Sequence, residues 1–147
     1  MINTLLVALD GSKHSLKAVD YAAEIAASLN AKLIIVYVVK TQELPEGLRE
    51  YAELEHIAGT EIEVLKKVAG HLVANAERSA KEKGVDDIVG EVEEGPVART
   101  IIARARHHDV DMIVVGSRGL GNLEATLRGG VSHRVELLAK CPVLTVK

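Results

Sequence analysis

Aromatic residues are nearly missing from this 147-residue chain, which has no tryptophan, no phenylalanine and three tyrosines. A core without large rings has to be filled by Val, Ile, Leu and Ala, the residues that line buried parallel strands. Cysteine occurs once, at Cys141, which excludes an internal disulfide and fits a reducing cytoplasm. Positive charge is not in excess: 18 Lys and Arg stand against 21 Asp and Glu, for a net charge of −3. That argues against a dedicated nucleic-acid binder, which carries a basic stripe. No run of about 18 apolar residues occurs, so no membrane span is expected. The opening "MINTLLVALDGS" has neither the basic region nor the small-residue cleavage site of a secretory leader, and it reads as a strand.

What the chain does have is alternation. "NTLLVALD" is a strand closed by the turn signal Asp10-Gly11. Ser12 is placed to cap a helix in which Leu16, Val19, Ala23, Ala26 and Leu29 recur at helical spacing, with Asn30 as its stop. "AKLIIVYVV" is apolar throughout, as a strand buried on both faces is. The stretch from Lys40 to about Glu55, with Pro45 and Gly47, reads as a surface excursion. A long helical pattern follows from Ala58 to Lys83, carried by Ala58, Ile62, Leu65, Ala69, Leu72, Ala76 and Ala80, and Gly84 stops it.

"DDIVGEVEEG" alternates like an edge strand, and Glu91, Glu93 and Glu94 read as a solvated edge. "PVARTIIARARHHD" is a helix with Pro96 at its start, and His107 and His108 read as a solvated helix end, not a metal site. "VDMIVVG" is a further buried strand. Leu123, Leu127, Val131, Val135 and Leu138 mark a last helical stretch, and "CPVLTVK" a last strand. Cys141 is expected to be a buried structural thiol.

Strict strand–helix alternation implies one α/β domain over residues 1–147. The expected architecture is a three-layer sandwich around a five-stranded parallel sheet in the order 3-2-1-4-5. In such sheets a ligand lies beyond the carboxyl ends of the strands where the winding reverses. Here that point falls between the first and fourth strands, from which "DGS" and "GSRGLG" depart.

Five of the chain's twelve glycines sit in "VVGSRGLGNLEATLRGGVS", at Gly116, Gly119, Gly121, Gly129 and Gly130. Glycine lets successive amides face one concavity that attracts anions, and a helix start adds more unpaired amides. Gly116 to Gly121 suit the first role, Gly129 to Ser132 the second, and Arg118 adds a cation. Together they fit a polyphosphate; tight turns alone are the competing reading. The common nucleotide signatures are not met. Asn122 follows Gly121 where a P-loop needs Lys, and Glu124 stands where a dinucleotide fingerprint needs glycine.

Gly116-x-x-Gly119, nine residues, then Gly129 resembles the ATP-binding signature of the universal stress protein family. "LLVALDGSKHSLKAVDYA", "EEGPVARTIIARA", "DMIVVGSRGLG" and "GGVSHRVELLAKCPVLTVK" extend the likeness along the whole chain. The resemblance implies an adenine nucleotide (ATP, AMP or ADP, with Mg²⁺) as ligand. It implies Ala8 and Asp10 against adenine and ribose, and Val38 closing the adenine pocket. Val115, Gly116, Arg118 and Gly119 would follow the phosphates from one side, and Gly129, Gly130, Val131 and Ser132 from the other. It also implies a homodimer through the apolar C-terminal strand, and a stress-response regulator in the cytoplasm with a protein partner the sequence does not name.

One departure stands out. The family places Ser or Thr after the last motif glycine, and this chain has Gly130. Bland roles stand beside several of these: an Asx-turn for Asp10, core packing for Val38, a solvated loop for Arg118 and a surface position for His133. Catalysis is not expected. An adenylyl-transferring enzyme of similar topology needs S-G-G-x-D-S where this chain has "ALDGS". A dimeric interaction protein that binds no nucleotide is the other alternative.

Overall fold

The computed structural model describes residues 1–40, 54, 57–118 and 130–147. Strand β1 (Thr4–Leu9) leads to α1 (Lys13–Leu29), β2 (Lys32–Lys40), α2 (Ile57–Glu82), β3 (Ile88–Gly95), α3 (Val97–His107), β4 (Met112–Gly116), α4 (Gly130–Leu138) and β5 (Val143–Val146). The five strands form one sheet in the order β3-β2-β1-β4-β5. Every neighbouring pair is parallel. This is the expected α/β sandwich. The excursion after Lys40 and the positions of Leu123 and Leu127 lie outside the described residues, apart from Leu54, which is exposed.

The strands' period of two splits the core into two layers. Leu5, Val7 and Leu9 of β1 and Leu33 and Ile35 of β2 meet α1 and α2 on one face. Leu6, Ile34, Val36, Ile113 and Val115 meet Ile101, Ala105 and Val135 of α3 and α4 on the other. Shortening a fully buried leucine such as Leu6 in this packing costs about 2–5 kcal/mol.

Helix α1 starts where Ser12 caps it, its side chain accepting from Ser15 N, and stops at Asn30 in the left-handed region. Ala31 N then donates to Ala26 O at 2.8 Å, closing the end. Its inward stripe keeps the expected Val19, Ala23 and Ala26 but not the two leucines. Ser15, Ala18, Val19, Ala22, Ala23 and Ala26 are buried, whereas Leu16 and Leu29 are 45% and 50% exposed. Small side chains let the helix lie close to the sheet, and the leucines fall on its flank. In helix α2 the expected Ala69, Ala76 and Ala80 face in, joined by Val73, and the exception is Leu65, which is half exposed. Gly84, at φ +100°, ends it as expected.

Strand β3 is an edge, as its alternation predicts. Its acidic face is not merely solvated. Glu91 takes Arg104 Nε at 2.6 Å and Arg104 Nη2 at 3.0 Å, and it also bonds His108 Nε2. Burial alone would raise the Glu91 pKa, but hydrogen bonds from Arg104 and His108 outweigh it and hold the carboxyl below its usual range. His108 is therefore a strap from the end of α3 to β3, not a solvated cap. Gly90 in the same strand is required for space, since a Cβ there would overlap the Glu77 carboxylate and lie 2.5 Å from Val73 Cγ1 of α2.

Candidate functional site

The winding reverses between β1 and β4, and the carboxyl ends of these two neighbours carry the candidate residues. Beyond Leu9 the chain turns at once. Asp10 Oδ1 accepts from Ser12 N at 2.8 Å, an Asx-turn that Gly11 completes at φ +84°. Asp10 N donates to Ser15 Oγ at 3.2 Å, and Ser15 Oγ donates to Ser12 O at 3.0 Å. The first turn of α1 is thus locked onto the end of β1. Tyr37, one strand over, donates its hydroxyl to Asp10 O at 3.4 Å. Burial, and secondarily the charge of Asp10, push that hydroxyl's pKa above its ordinary value, so it remains a donor.

The end of β4 is tied to the same turn. Ser12 Oγ donates to Arg118 O at 3.2 Å, and His14 Nδ1 bonds Ser117 Oγ at 2.7 Å. Ser117 N donates to Val146 O at 2.7 Å, carrying the β4–β5 ladder one residue past the strand. Gly116 makes the close fit possible. A Cβ there would lie 2.8 Å from the His14 carbonyl carbon, 2.9 Å from His14 Cβ and 2.9 Å from Ser15 N.

Of the sequence-predicted residues, Ala8 and Asp10 stand at the end of β1, and Val115, Gly116 and Arg118 at the end of β4. Val38 lies on β2, 8% exposed, on the same sheet face as Leu6 and Val115. Gly130, Val131 and Ser132 form the first turn of α4, with Ser132 buried and Val131 39% exposed. A Cβ on Gly130 would meet no described atom within 4 Å. Gly119 and Gly129 lie outside the described residues. Gly116, of the motif, and Gly130, the departure from it, therefore differ in their described surroundings: the space beside Gly116 is filled by α1, and no described atom fills that beside Gly130. Sequence reasoning did not single out His14, Ser15, Ser117 or Tyr37. The repeated hydroxyls of "DGSKHS" are the one local signal that would have marked the turn.

Among the described residues, no group of three or more His, Cys, Asp or Glu is arranged to hold a metal ion. No described helix is long and apolar enough to cross a membrane. A cavity of about 190 Å³ opens at the opposite end of the sheet, lined by Ile102, Val110, Ile113, Leu138 and Cys141 among others. Cys141 is only partly buried there, and burial raises its thiol pKa.

The fold and the stitched strand ends define a doubly wound α/β domain of the kind that carries its ligand crevice at the reversal point. The chain belongs to the universal stress protein family, whose model matches residues 1–147. It is 37% identical over 153 aligned residues to universal stress protein YxiE of Bacillus subtilis, covering 100% of both chains. It is 35% identical to universal stress protein MJ0531 of Methanocaldococcus jannaschii, covering 97% of this chain and 81% of that one. Among solved structures it is similar to a universal stress protein in complex with cAMP, at 30% identity and a TM-score of 0.73. That match covers 99% of this chain and 96% of the other.

Proposed function

We propose that this protein binds an adenine nucleotide at the reversal point between β1 and β4 and acts as a stress-response switch, not as an enzyme. The carrying observation is the fixed floor made by the Asp10–Ser12 turn and Gly116–Arg118, held together by the Ser12–Arg118 and His14–Ser117 bonds. The start of α4 is at Gly130, where a Cβ would meet no described atom within 4 Å. A floor fixed by its own hydrogen bonds needs little reorganisation to receive a ligand. The complex of a 30% identical family member with cAMP supports an adenine-bearing ligand.

In this reading Ala8 and Val38 flank the adenine, and Asp10 reaches the ribose. Val115, Gly116, Arg118 and Gly119 follow the phosphates from one side, and Gly129, Gly130, Val131 and Ser132 from the other. ATP, ADP or AMP is the ligand, with Mg²⁺ carried on its phosphate oxygens. The working form is a cytoplasmic homodimer paired through β5, the free edge of the sheet beside β4.

Mass spectrometry of ligand released from fresh protein, followed by calorimetry with ATP, AMP and cAMP, tests the reading. Binding at a stoichiometry of one per chain is expected, lost in a folded Gly119→Val variant, with hydrolysis far below the ~10 s⁻¹ typical of enzymes. The absence of binding by every nucleotide would favour the alternative of a pure interaction protein, for which Gly130 in place of a hydroxyl residue speaks.

A further inference from the structure

We propose that His14 is a positioning residue for the phosphate side of this site and makes nucleotide affinity rise as its imidazole gains a proton. The inference rests on the nucleotide reading above. His14 sits in the first turn of α1, half-buried, with Nδ1 2.7 Å from Ser117 Oγ. Ser117 is the first residue beyond β4, and its own amide is fixed on Val146 O. The backbone of His14 is equally fixed, because it lies against Gly116 with no room for a Cβ between them. With both backbones held, the proton on Nδ1 decides how the bond runs.

With the ring neutral and its proton on Nε2, Nδ1 accepts, and the Ser117 hydroxyl spends its one proton on His14. Oγ then offers lone pairs to its surroundings, which repel a phosphate oxygen. With the ring protonated, Nδ1–H donates to Oγ. The Ser117 proton is released to point elsewhere, and a positive charge is added behind it. Both changes favour an anion above Gly116–Arg118. Histidine is the side chain whose charge ordinarily changes between pH 5 and 8.

The described charged groups nearest in the chain lie on its own helix and at the two strand ends. Lys13 and Lys17 share its helix, and Lys17 Nζ is occupied with Lys147 O at 2.8 Å. Asp10 lies at the end of β1, turned onto Ser12 N, and Arg118 follows Ser117 with its side chain exposed. Among the described residues the imidazole forms no ion pair. Ser117 is its hydrogen-bond partner there.

The test compares ATP and AMP affinities of wild type, His14→Asn and His14→Ala at pH 5.5 and pH 8, each variant checked for folding by circular dichroism. Asn retains an amide near the Nδ1 position but does not titrate. The ratio of wild-type to His14→Asn affinity cancels the ligand's own titration. It is expected to rise about tenfold from pH 8 to pH 5.5, the size of one hydrogen bond to a charged group. A ratio that stays constant overturns the proposal even where both proteins bind nucleotide well. A second readout needs no ligand. In ¹⁵N spectra of the nucleotide-free protein, the Ser117 amide is expected to shift with the His14 titration in wild type and to stay still in His14→Asn. An amide that ignores His14 overturns the positioning role. Failure of every protein to bind nucleotide, with that amide coupling intact, overturns the site reading and the affinity claim with it.

Discussion

Replacing Gly116 by alanine separates two explanations of a motif glycine, close approach of a ligand and close approach of the protein to itself. The φ of Gly116 lies outside the left-handed region, so conformation does not demand glycine there. Space does. The added Cβ would lie 2.8–2.9 Å from three atoms of α1, two of them backbone. Ordinary contact begins near 3.4 Å, so the first turn of α1 has to retreat by roughly 0.5 Å, and overpacking of this kind costs about 1–3 kcal/mol. The retreat also stretches the Ser12–Arg118 and His14–Ser117 bonds, each with a net value of about 0.5–1.5 kcal/mol. With both bonds lost the total is about 2–6 kcal/mol, or a fall in Tm of about 6–20 °C for a domain of this size. Urea and thermal unfolding without nucleotide measure it. Gly130→Ala is the control, expected within about 0.5 kcal/mol of wild type because no described atom lies within 4 Å of its Cβ. Gly116→Ala unfolding like wild type would show that α1 yields freely, and the argument for a fixed floor would fall with it.

Gly130→Ser adds a hydroxyl where no described atom lies within 4 Å of the Cβ, and ATP affinity is expected to hold or to tighten by about tenfold; tenfold weakening in calorimetry would show that the backbone there requires glycine. Acid should loosen β3 from α3. The Glu91 pKa is lower folded than unfolded, so its contribution is complete above the ordinary carboxylate value of about 4.3 and is lost as pH falls through the folded value. Asp111, held low by backbone hydrogen bonds from Asn3 and Thr4, acts with the same sign. The stability gap between wild type and Glu91→Gln in urea titrations is expected to be full at pH 6 and to shrink as pH falls below the ordinary carboxylate value of about 4.3; a constant gap would remove the Glu91 linkage. For assembly, Val146 is buried in the chain's own core, so half-buried Val143 is the cleaner site. Val143→Glu is expected to give monomer in light scattering where wild type gives dimer, and a monomeric wild type at micromolar concentration refutes pairing through β5.

The fold was legible because its signals are local. Uniform apolar runs marked β1, β2 and β4, while Asn30 and Gly84 ended their helices as single residues with left-handed or glycine-only conformations. Side-chain size was the weaker guide. Leu16 and Leu29 are more apolar than Ser15 and Ala22, yet the close seating of α1 admits only the smaller set. The strap from Arg104 and His108 to Glu91 joins residues 13 and 17 positions apart on two elements, and composition alone cannot pair them. The site was half legible. Topology put "DGS" and "GSRG" side by side, but the His14–Ser117 bond spans 103 positions and has no pattern in one dimension. The glycine pattern also gave no sign that Gly116 is needed for the fit of α1, which lies 2.8–2.9 Å from where its Cβ would be.

The bond from Ser117 N to Val146 O gives the segment after β4 a mechanical pivot. Arg118 is held separately, its carbonyl accepting from Ser12 Oγ at 3.2 Å. Movement of Ser117 breaks a rung, at a net cost of about 0.5–1.5 kcal/mol. A displacement large enough to pull Ser117 is therefore delivered directly to the outermost strand. A change at the crevice thus has a path to the rim of the molecule that is a single hydrogen bond long and bypasses the hydrophobic layers.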